Sequence, residues 1–142
     1  MNLYYIMNII KLNNENINHL ENFIKNDLPI TFRYFDKRNI DVIKNHIITI
    51  ILEIDNQDIG YAHIDFDDGK YWFGICLLLE YQGKGYGKKM MEFTFNDEKV
   101  KNIREIYLTV DKININAIQL YKKFNFTFVD EKEYHYLMRK IN

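Results

Sequence analysis

The sequence predicts a mixed α/β (α+β) domain in which helices cover both faces of one twisted sheet. Three observations predict it. The hydrophobic period switches repeatedly between that of helices and that of strands, in the order β-α-α-β-β-β-α-β-α-β-β. Three of the strands follow one another through short polar turns, the pattern of antiparallel hairpins. Residues 71–91, YWFGICLLLEYQGKGYGKKMM, run from an apolar strand through a glycine-rich turn into a helix, and a further strand comes next at 104–110. A strand–helix–strand crossover of this kind makes its two strands parallel neighbours.

Taken in order, residues 3–12 are rich in Tyr and Ile and read as a first strand. Asn13 and Asn14 offer an N-cap, and Ile17, Leu20, Phe23 and Ile24 recur at helical spacing, which predicts an amphipathic helix over 14–25 that stops before Pro29. Residues 29–38, PITFRYFDKR, are aromatic and basic without periodicity. Ile40, Ile43 and Ile47 predict a short helix over 39–46. Strands at 47–55 and 59–66 flank Asn56-Gln57-Asp58, and Asp67-Asp68-Gly69 turns the chain into the central apolar strand. Helix 87–101, strand 104–110, helix 114–124 and strands 126–129 and 134–138 complete the chain.

Length and composition narrow the function. The chain has 142 residues, which predicts one domain over 1–142, and 47% of them are hydrophobic, enough for a packed core. Nineteen basic residues nearly cancel twenty acidic ones, so nucleic acid is not the expected partner. The apolar stretch near the start is too short to span a bilayer and lacks the pattern of a secretory signal, so no membrane association is expected and the cytoplasm is the expected location. The single cysteine, Cys76, excludes internal disulfides and zinc clusters, suits a reducing compartment, and reads as a core thiol within an apolar run. No metal is expected.

The glycine-rich turn, Gln82-Gly83-Lys84-Gly85-Tyr86-Gly87, carries the first chemical signal. Glycines at alternate positions let a backbone turn tightly and approach a ligand, and the first N–H groups of the next helix lack internal partners. Such a turn binds anions, phosphate above all, and Lys84, Lys88 and Lys89 add positive charge. A second segment comes one helix and one strand later: Asn114-x-x-Ala117-x-x-Leu120-Tyr121, then Asn125-Phe126. With Gln82-x-x-Gly85-x-Gly87, this pair of motifs resembles the GCN5-related N-acetyltransferase (GNAT) superfamily over roughly residues 47–138. Asn125 stands where that family usually has glycine, and asparagine is the other residue that tolerates a left-handed conformation. Leu79 stands where many members have proline.

The resemblance implies a mostly antiparallel twisted sheet with a central pair of splayed parallel strands, and acetyl-coenzyme A as donor. It places the pyrophosphate on the backbone of Gln82, Gly83, Lys84, Gly85, Tyr86, Gly87 and Lys88. The pantetheine arm would lie along the backbone of Ile75, Leu77, Leu78 and Leu79, beside Asn114 and Ala117. An N–H near Leu77 or Leu78 would stabilise the oxyanion. Tyr121 matches the family's usual acid for the leaving thiolate. Asn114 orients the coenzyme or a water, or caps the helix, and the two roles can coexist.

An alkyl amine is protonated at neutral pH and must lose a proton before it attacks, so a general base is expected. Strand alternation puts Tyr61, His63 and Asp65 on one face, which makes His63 the first candidate, with Glu53 as its rival on the neighbouring strand and Asp111 behind both. The acceptor wall implied by the family is the aromatic and basic segment, where Arg33 and Arg38 could hold a carboxylate or phosphate and Tyr34 and Phe35 could stack on a ring. The expected activity is therefore direct transfer of an acetyl group, in a ternary complex, to a small-molecule primary amine such as an amino sugar or another anionic amine. Two alternatives stay open: a protein or peptide amine as acceptor, and a non-catalytic acyl-coenzyme A-binding module. A homodimer is compatible with the chain.

Overall fold

The structure is a computed structural model and describes residues 6–142. Seven strands form one sheet in the order β1-β2-β3-β4-β5-β7-β6. They are β1 (Met7–Lys11), β2 (Ile48–Ile54), β3 (Gln57–Asp67), β4 (Lys70–Leu77), β5 (Glu105–Asp111), β6 (Thr127–Glu131) and β7 (His135–Ile141). Every neighbouring pair is antiparallel except β4 and β5, which are parallel. The mixed sheet matches the sequence expectation. Of the first expected strand, residues 3–5 lie outside the described residues.

Four α-helices cover the sheet: α1 (Asn18–Ile24), α2 (Tyr86–Phe95), α3 (Glu98–Lys101) and α4 (Ile115–Lys123). Helix α1 packs on one face, where Phe23 stacks on Tyr61 of β3 at 5.9 Å between ring centroids. Helix α2 lies on the other face, with Met90 against Gly60 of β3, and α4 joins it there, with Leu120 against Gly87. Gly87 is small for that reason: a Cβ at this position would lie 3.1 Å from the Leu120 side chain. The two faces are filled by fully buried Phe23, Leu20, Ile51 and Tyr61 and by Met90, Met91, Ile64 and Phe126.

Several boundaries differ from those the sequence predicts. Helix α1 begins at Asn18 rather than residue 14, because the Asn13 side chain accepts from the amides of Glu15 and Asn16 and builds a separate turn ahead of the helix. The segment 39–46 is a 3₁₀ helix, Ile40–Asn45, capped by Asn39. The first hairpin turns one residue earlier than expected, at Asp55-Asn56, both with positive φ, so Gln57 and Asp58 belong to β3. The expected helix 87–101 is two helices, because Asp97 caps α3 and breaks the run. The central strand ends at Leu77, and Leu79–Tyr81 forms a single 3₁₀ turn.

Two irregularities shape the sheet around its centre. Between β2 and β3 the register shifts, so Leu52 faces Gly60 while Glu53 faces Asp58. Ile59 is the extra residue, and this bulge turns Asp58 toward α1, where it meets His19 at 2.9 Å. Between β4 and β5 the register holds only at Tyr71–Ile106 and Trp72–Tyr107, after which the two strands part. Asn125, after α4, has φ of 69°, the left-handed region in which an ordinary L residue costs about 1–2 kcal/mol. Asn125→Ala is therefore expected to lower stability by about 1 kcal/mol and Asn125→Gly to hold or raise it, as read by chemical denaturation.

Candidate active site

The parting of β4 and β5 decides where the site lies. In an antiparallel ladder, alternate residues turn their amide groups to the same neighbour. Leu78 donates to the Ile59 carbonyl, on the β3 side. By alternation the amide groups of Phe73, Ile75 and Leu77 face the β5 side; the last bridge, Trp72–Tyr107, uses that of Phe73, and the ladder ends there, before Ile75 and Leu77. The gap leaves a stretch of unpaired strand edge inside the protein. Of the two oxyanion donors expected from the sequence, Leu78 is ruled out, because its N–H is already bonded to Ile59. The N–H of Leu77 remains. Leu79 is 70% exposed and stands outside the gap.

The gap opens into two clefts. The first, of about 400 Å³, lies between the end of β4, the glycine turn and α4. Ile75, Leu77, Gln82, Gly83, Gly85, Gly87, Lys88, Asn114, Ala117 and Tyr121 line it. Gly83 and Gly85 have φ of 77° and 87°, conformations that favour glycine. The amides of residues 83–88 make no hydrogen bond to any described residue, whereas that of Gln82 is taken by the Leu79 carbonyl. The usable amide cradle is thus 83–88, one residue shorter than expected. The Gln82 side chain bends back and donates to the Leu77 carbonyl at 2.8 Å, tying the turn to the strand end. Lys84 and Tyr86 turn away from the cleft, and Lys84 lies 5.9 Å from the Tyr81 ring. Lys123 and Gln119, on the same side of α4 as Asn116, also line the cleft, although neither sequence motif includes them. Their i, i+3 and i, i+4 spacing marks that face.

The second cleft, of about 430 Å³, opens on the α1 face. Its lining includes Arg33, Tyr34, Arg38, His63, Asp65, Asp67, Trp72, Gly74 and Asp111. The two clefts share Thr31, Phe32, Ile75, Asn114 and Tyr121. Tyr121 is therefore at the junction. Its hydroxyl makes no hydrogen bond to any described residue, and burial, with the Cys76 thiol nearby, raises its pKa. It keeps its proton at neutral pH. Asn114 holds the N-cap position of α4 but makes no side-chain cap bond, so its amide is free to face the clefts. Cys76 is buried, and burial pushes its thiol up to about 12, which fits a core thiol.

The other residues singled out from sequence divide. His63 lies in the second cleft, directly across from Gly74. A Cβ on Gly74 would come within 2.7 Å of the His63 ring, so glycine there makes room for the imidazole. His63 Nδ1 bonds the Tyr61 hydroxyl at 2.7 Å. Burial, His46 and Arg38 hold its pKa well below the usual value, so the ring is neutral. Glu53 is not part of this cleft. It pairs with Asp58, four positions along β2 from Thr49, the partner of His63, or about 13 Å away at strand spacing. There it accepts from Asn8 and sits 3.9 Å from His19. Phe35 packs on Tyr61 and Tyr34 beneath the cleft and does not line it. Arg33 holds Asp111 through both carboxylate oxygens, at 3.0 and 3.1 Å, and Arg38 covers the Tyr34 ring at 4.2 Å.

Asp65 is the site residue that the sequence does not single out. Alternation puts it on the His63 face, but nothing in the sequence marks it as buried. One of its oxygens, Oδ2, accepts from the Tyr34 hydroxyl at 2.8 Å, and the other, Oδ1, is buried with no partner. Burial raises its pKa. His46, His63 and Asp65 bring three ligand-type atoms close together. The two imidazoles are stacked, 4.6 Å apart with planes 22° from parallel. Their in-plane lone pairs cannot converge on one ion without rotating a ring, so the cluster is built for hydrogen bonding rather than for a metal.

Comparison with known proteins agrees with this geometry. A model of the acetyltransferase (GNAT) domain matches residues 45–128. A spermine/spermidine N(1)-acetyltransferase from Bacillus subtilis is 36% identical over 73 residues, which are 50% of this chain and 48% of that protein. The chain thus spans about half the length of the curated relatives it matches first. In fold, a GNAT-family acetyltransferase from Streptococcus pneumoniae superposes with a TM-score of 0.73 at 20% identity, covering 96% of this chain and 99% of that one. The PaiA N-acetyltransferase of Thermoplasma acidophilum, solved with coenzyme A, does so with a TM-score of 0.71 at 19% identity, covering 96% and 99%. The matched segment runs from the first hairpin through the amide cradle, the opened strand pair and the α4 motif, and the chain belongs to the GNAT acetyltransferase superfamily.

Proposed function

We propose that this protein transfers the acetyl group of acetyl-coenzyme A to a primary amine of a small, cationic, polyamine-type acceptor. The observation that carries the reading is the junction of two chemically different clefts at Ile75, Asn114 and Tyr121. One cleft offers unbonded amides and Lys88 and Lys123, which suit phosphates. The other is lined by the carboxylates of Asp65, Asp67 and Asp111, with Trp72 beside them.

The residues present fit the coenzyme. The amides of residues 83–88, at the start of α2, would hold its pyrophosphate, and the unpaired edge at Ile75 and Leu77 would pair with amides of an extended arm, as a missing strand would. Bound acetyl-coenzyme A supplies the acetyl group as an activated thioester. The Leu77 N–H is held in the gap to receive negative charge on the carbonyl oxygen. Tyr121 holds its proton at the junction, ready for the departing sulfur. The neighbouring pair His63 and Asp65, 3.8 Å apart, takes the proton that the acceptor ammonium must lose. Among the described residues the junction holds no thiol, Cys76 in the first cleft is buried and protonated, and no base is bonded to the Thr31 hydroxyl, so the reading is direct transfer.

The acceptor class departs from the anionic amine considered from sequence. The arginines expected to hold a carboxylate or phosphate are engaged: Arg33 with Asp111, and Arg38 with the ring and carbonyl of Tyr34. The lining sets the carboxylates of Asp65, Asp67 and Asp111 against Arg33 and Arg38, and the acidic excess suits a polycation. The Bacillus relative named for spermine and spermidine lends the same reading.

Thiol release from acetyl-coenzyme A, measured with spermidine, amino sugars and peptides, tests this. Spermidine is expected to give the highest kcat/KM, and a phosphorylated amino sugar that outperforms it would refute the cationic acceptor. Asp67→Asn is expected to raise KM for spermidine about tenfold, the loss of roughly 1.4 kcal/mol of ion pairing, with kcat little changed. Tyr121→Phe is expected to lower kcat about 100-fold while coenzyme affinity by calorimetry stays the same. Because burial raises the Tyr121 pKa, no alkaline limb from this group is expected near neutral pH in the wild type.

A further inference from the structure

Behind the acceptor cleft a chain of hydrogen bonds runs from Asp65 into the fold. The Tyr34 hydroxyl bonds Asp65 Oδ2 at 2.8 Å and His46 Nε2 at 2.8 Å, and His46 Nδ1 bonds Thr49 Oγ1 at 2.8 Å. Each inner member, phenol and neutral imidazole, can both donate and accept, so the chain can run in either direction. Asp65 as carboxylate can only accept, which fixes the present polarity. Tyr34 donates to Asp65, His46 donates from Nε2 to Tyr34, and Thr49 donates to His46 Nδ1.

The surroundings suit proton passage. The Tyr34 ring lies 4.2 Å from that of His63, tilted by 38°, and Arg38 covers the Tyr34 ring. Burial and then Arg38 bring His46 down to about 4, and burial raises Asp65, so the two shifts act in opposite directions on the imidazole and the carboxylate. Tyr34 is held above its ordinary value by burial and by its bond to Asp65, and it passes a proton on without ionising. His46 is half-buried, whereas Thr49 is buried.

We propose that Tyr34 and His46 form a proton-exit relay that empties Asp65 after it has accepted the acceptor's proton. The inference rests on the acetyl-transfer reading of the site. The N–H bond of the acceptor ammonium breaks and an O–H bond forms on Asp65. Asp65 then gives that proton to the Tyr34 oxygen, while Tyr34 gives its own to His46 Nε2, and His46 gives one from Nδ1 to Thr49 Oγ1, which gives up its own hydroxyl proton toward solvent. The polarity seen in the structure is the one left after a proton has gone out. Rotation of the Tyr34 hydroxyl and exchange of the His46 tautomer reset the chain. Asp65 is the group that meets the substrate, and Tyr34 and His46 act through it.

Asp65 is faced by Tyr34 and Arg38 from the segment after α1, by His63 and Asp67 from β3, and by His46 through Tyr34. The Tyr34 bond lowers the Asp65 pKa. Removing it raises that pKa, so the basic carboxylate appears only at higher pH. In Tyr34→Phe, which keeps the ring, the acid limb of kcat/KM for spermidine is therefore expected to move to higher pH, and kcat to fall about 10- to 100-fold. His46→Ala leaves the Tyr34–Asp65 bond in place. Its kcat is expected to fall with the acid limb unmoved, and to recover with added imidazoles to an extent that tracks their pKa, which filling a hole would not do. Coenzyme affinity by calorimetry and the thermal unfolding midpoint serve as controls. A Tyr34→Phe enzyme with wild-type kcat and acid limb overturns the relay. So does a His46→Ala enzyme that imidazoles do not rescue, or rescue regardless of pKa. If Tyr34→Phe fails to fold, the His46→Ala rescue decides alone. A wild-type protein that binds coenzyme A and acetylates no amine sinks the acetyl-transfer reading itself. Normal wild-type turnover with unaltered variants sinks only the relay.

Discussion

The site depends on one structural event, the loss of pairing between β4 and β5 after Trp72 and Tyr107. Parallel neighbours in a sheet ordinarily keep their hydrogen bonds, because an amide left unbonded away from water costs about 1–3 kcal/mol. Here two successive outward amides of β4, those of Ile75 and Leu77, lose their partners just before the strand end. The gap is tolerable only if something polar enters it, water in the free protein or an extended amide chain when a ligand binds. Everything chemically distinctive is arranged around that gap. The glycine turn begins where β4 ends, Tyr121 and Asn114 approach it from α4, and His63 and Asp65 approach from β3. The Gln82 side chain, clamped on the Leu77 carbonyl, fixes the distance between the open edge and the amide cradle.

How much the sequence discloses depends on the range over which each signal acts. Strand alternation, glycine at positive φ and helical spacing are local properties, and they locate the mixed sheet, the cradle and the α4 motif nearly in register. The misplaced boundaries come from side chains that compete with the backbone: Asn13 builds its own turn, and Asp97 caps a new helix inside an expected one. The bulge at Ile59 is not legible at all. It depends on pairing between two strands, and neither strand alone records it.

The same division explains the site. Tyr121 and the glycine turn belong to local motifs and are legible in the sequence. Asp65, His46 and the engagement of Arg33 are not, because their meaning lies in partners far along the chain. Arg33 and Asp111 are 78 positions apart, and Tyr34 and Asp65 are 31 apart. A basic residue in a loop reads as a free cation until its carboxylate is known. That is why the sequence suggests an anionic acceptor, whereas the acceptor we propose is cationic. Glu53 shows the complementary error, since it shares a face with Thr49 but stands too far along the strand to share a site.

The Arg33–Asp111 pair also bears on how the acceptor cleft is built. Arg33 is well exposed and Asp111 only partly buried, so the pair contributes at most about 1 kcal/mol to stability. Its geometry matters more than its energy. A planar two-point contact fixes orientation as well as distance, and this one fastens the segment carrying Tyr34 and Arg38 to the end of β5, across the mouth of the gap. Tyr34 is then held between Arg38 above, His63 beside it and Asp65 at its hydroxyl. The aromatic and basic segment thus works less as a ligand hook than as a lid beam. Its charges are spent on holding a neutral phenol–imidazole pair against a carboxylate, and that pair is the part of the cleft through which a proton, rather than a substrate, has a path.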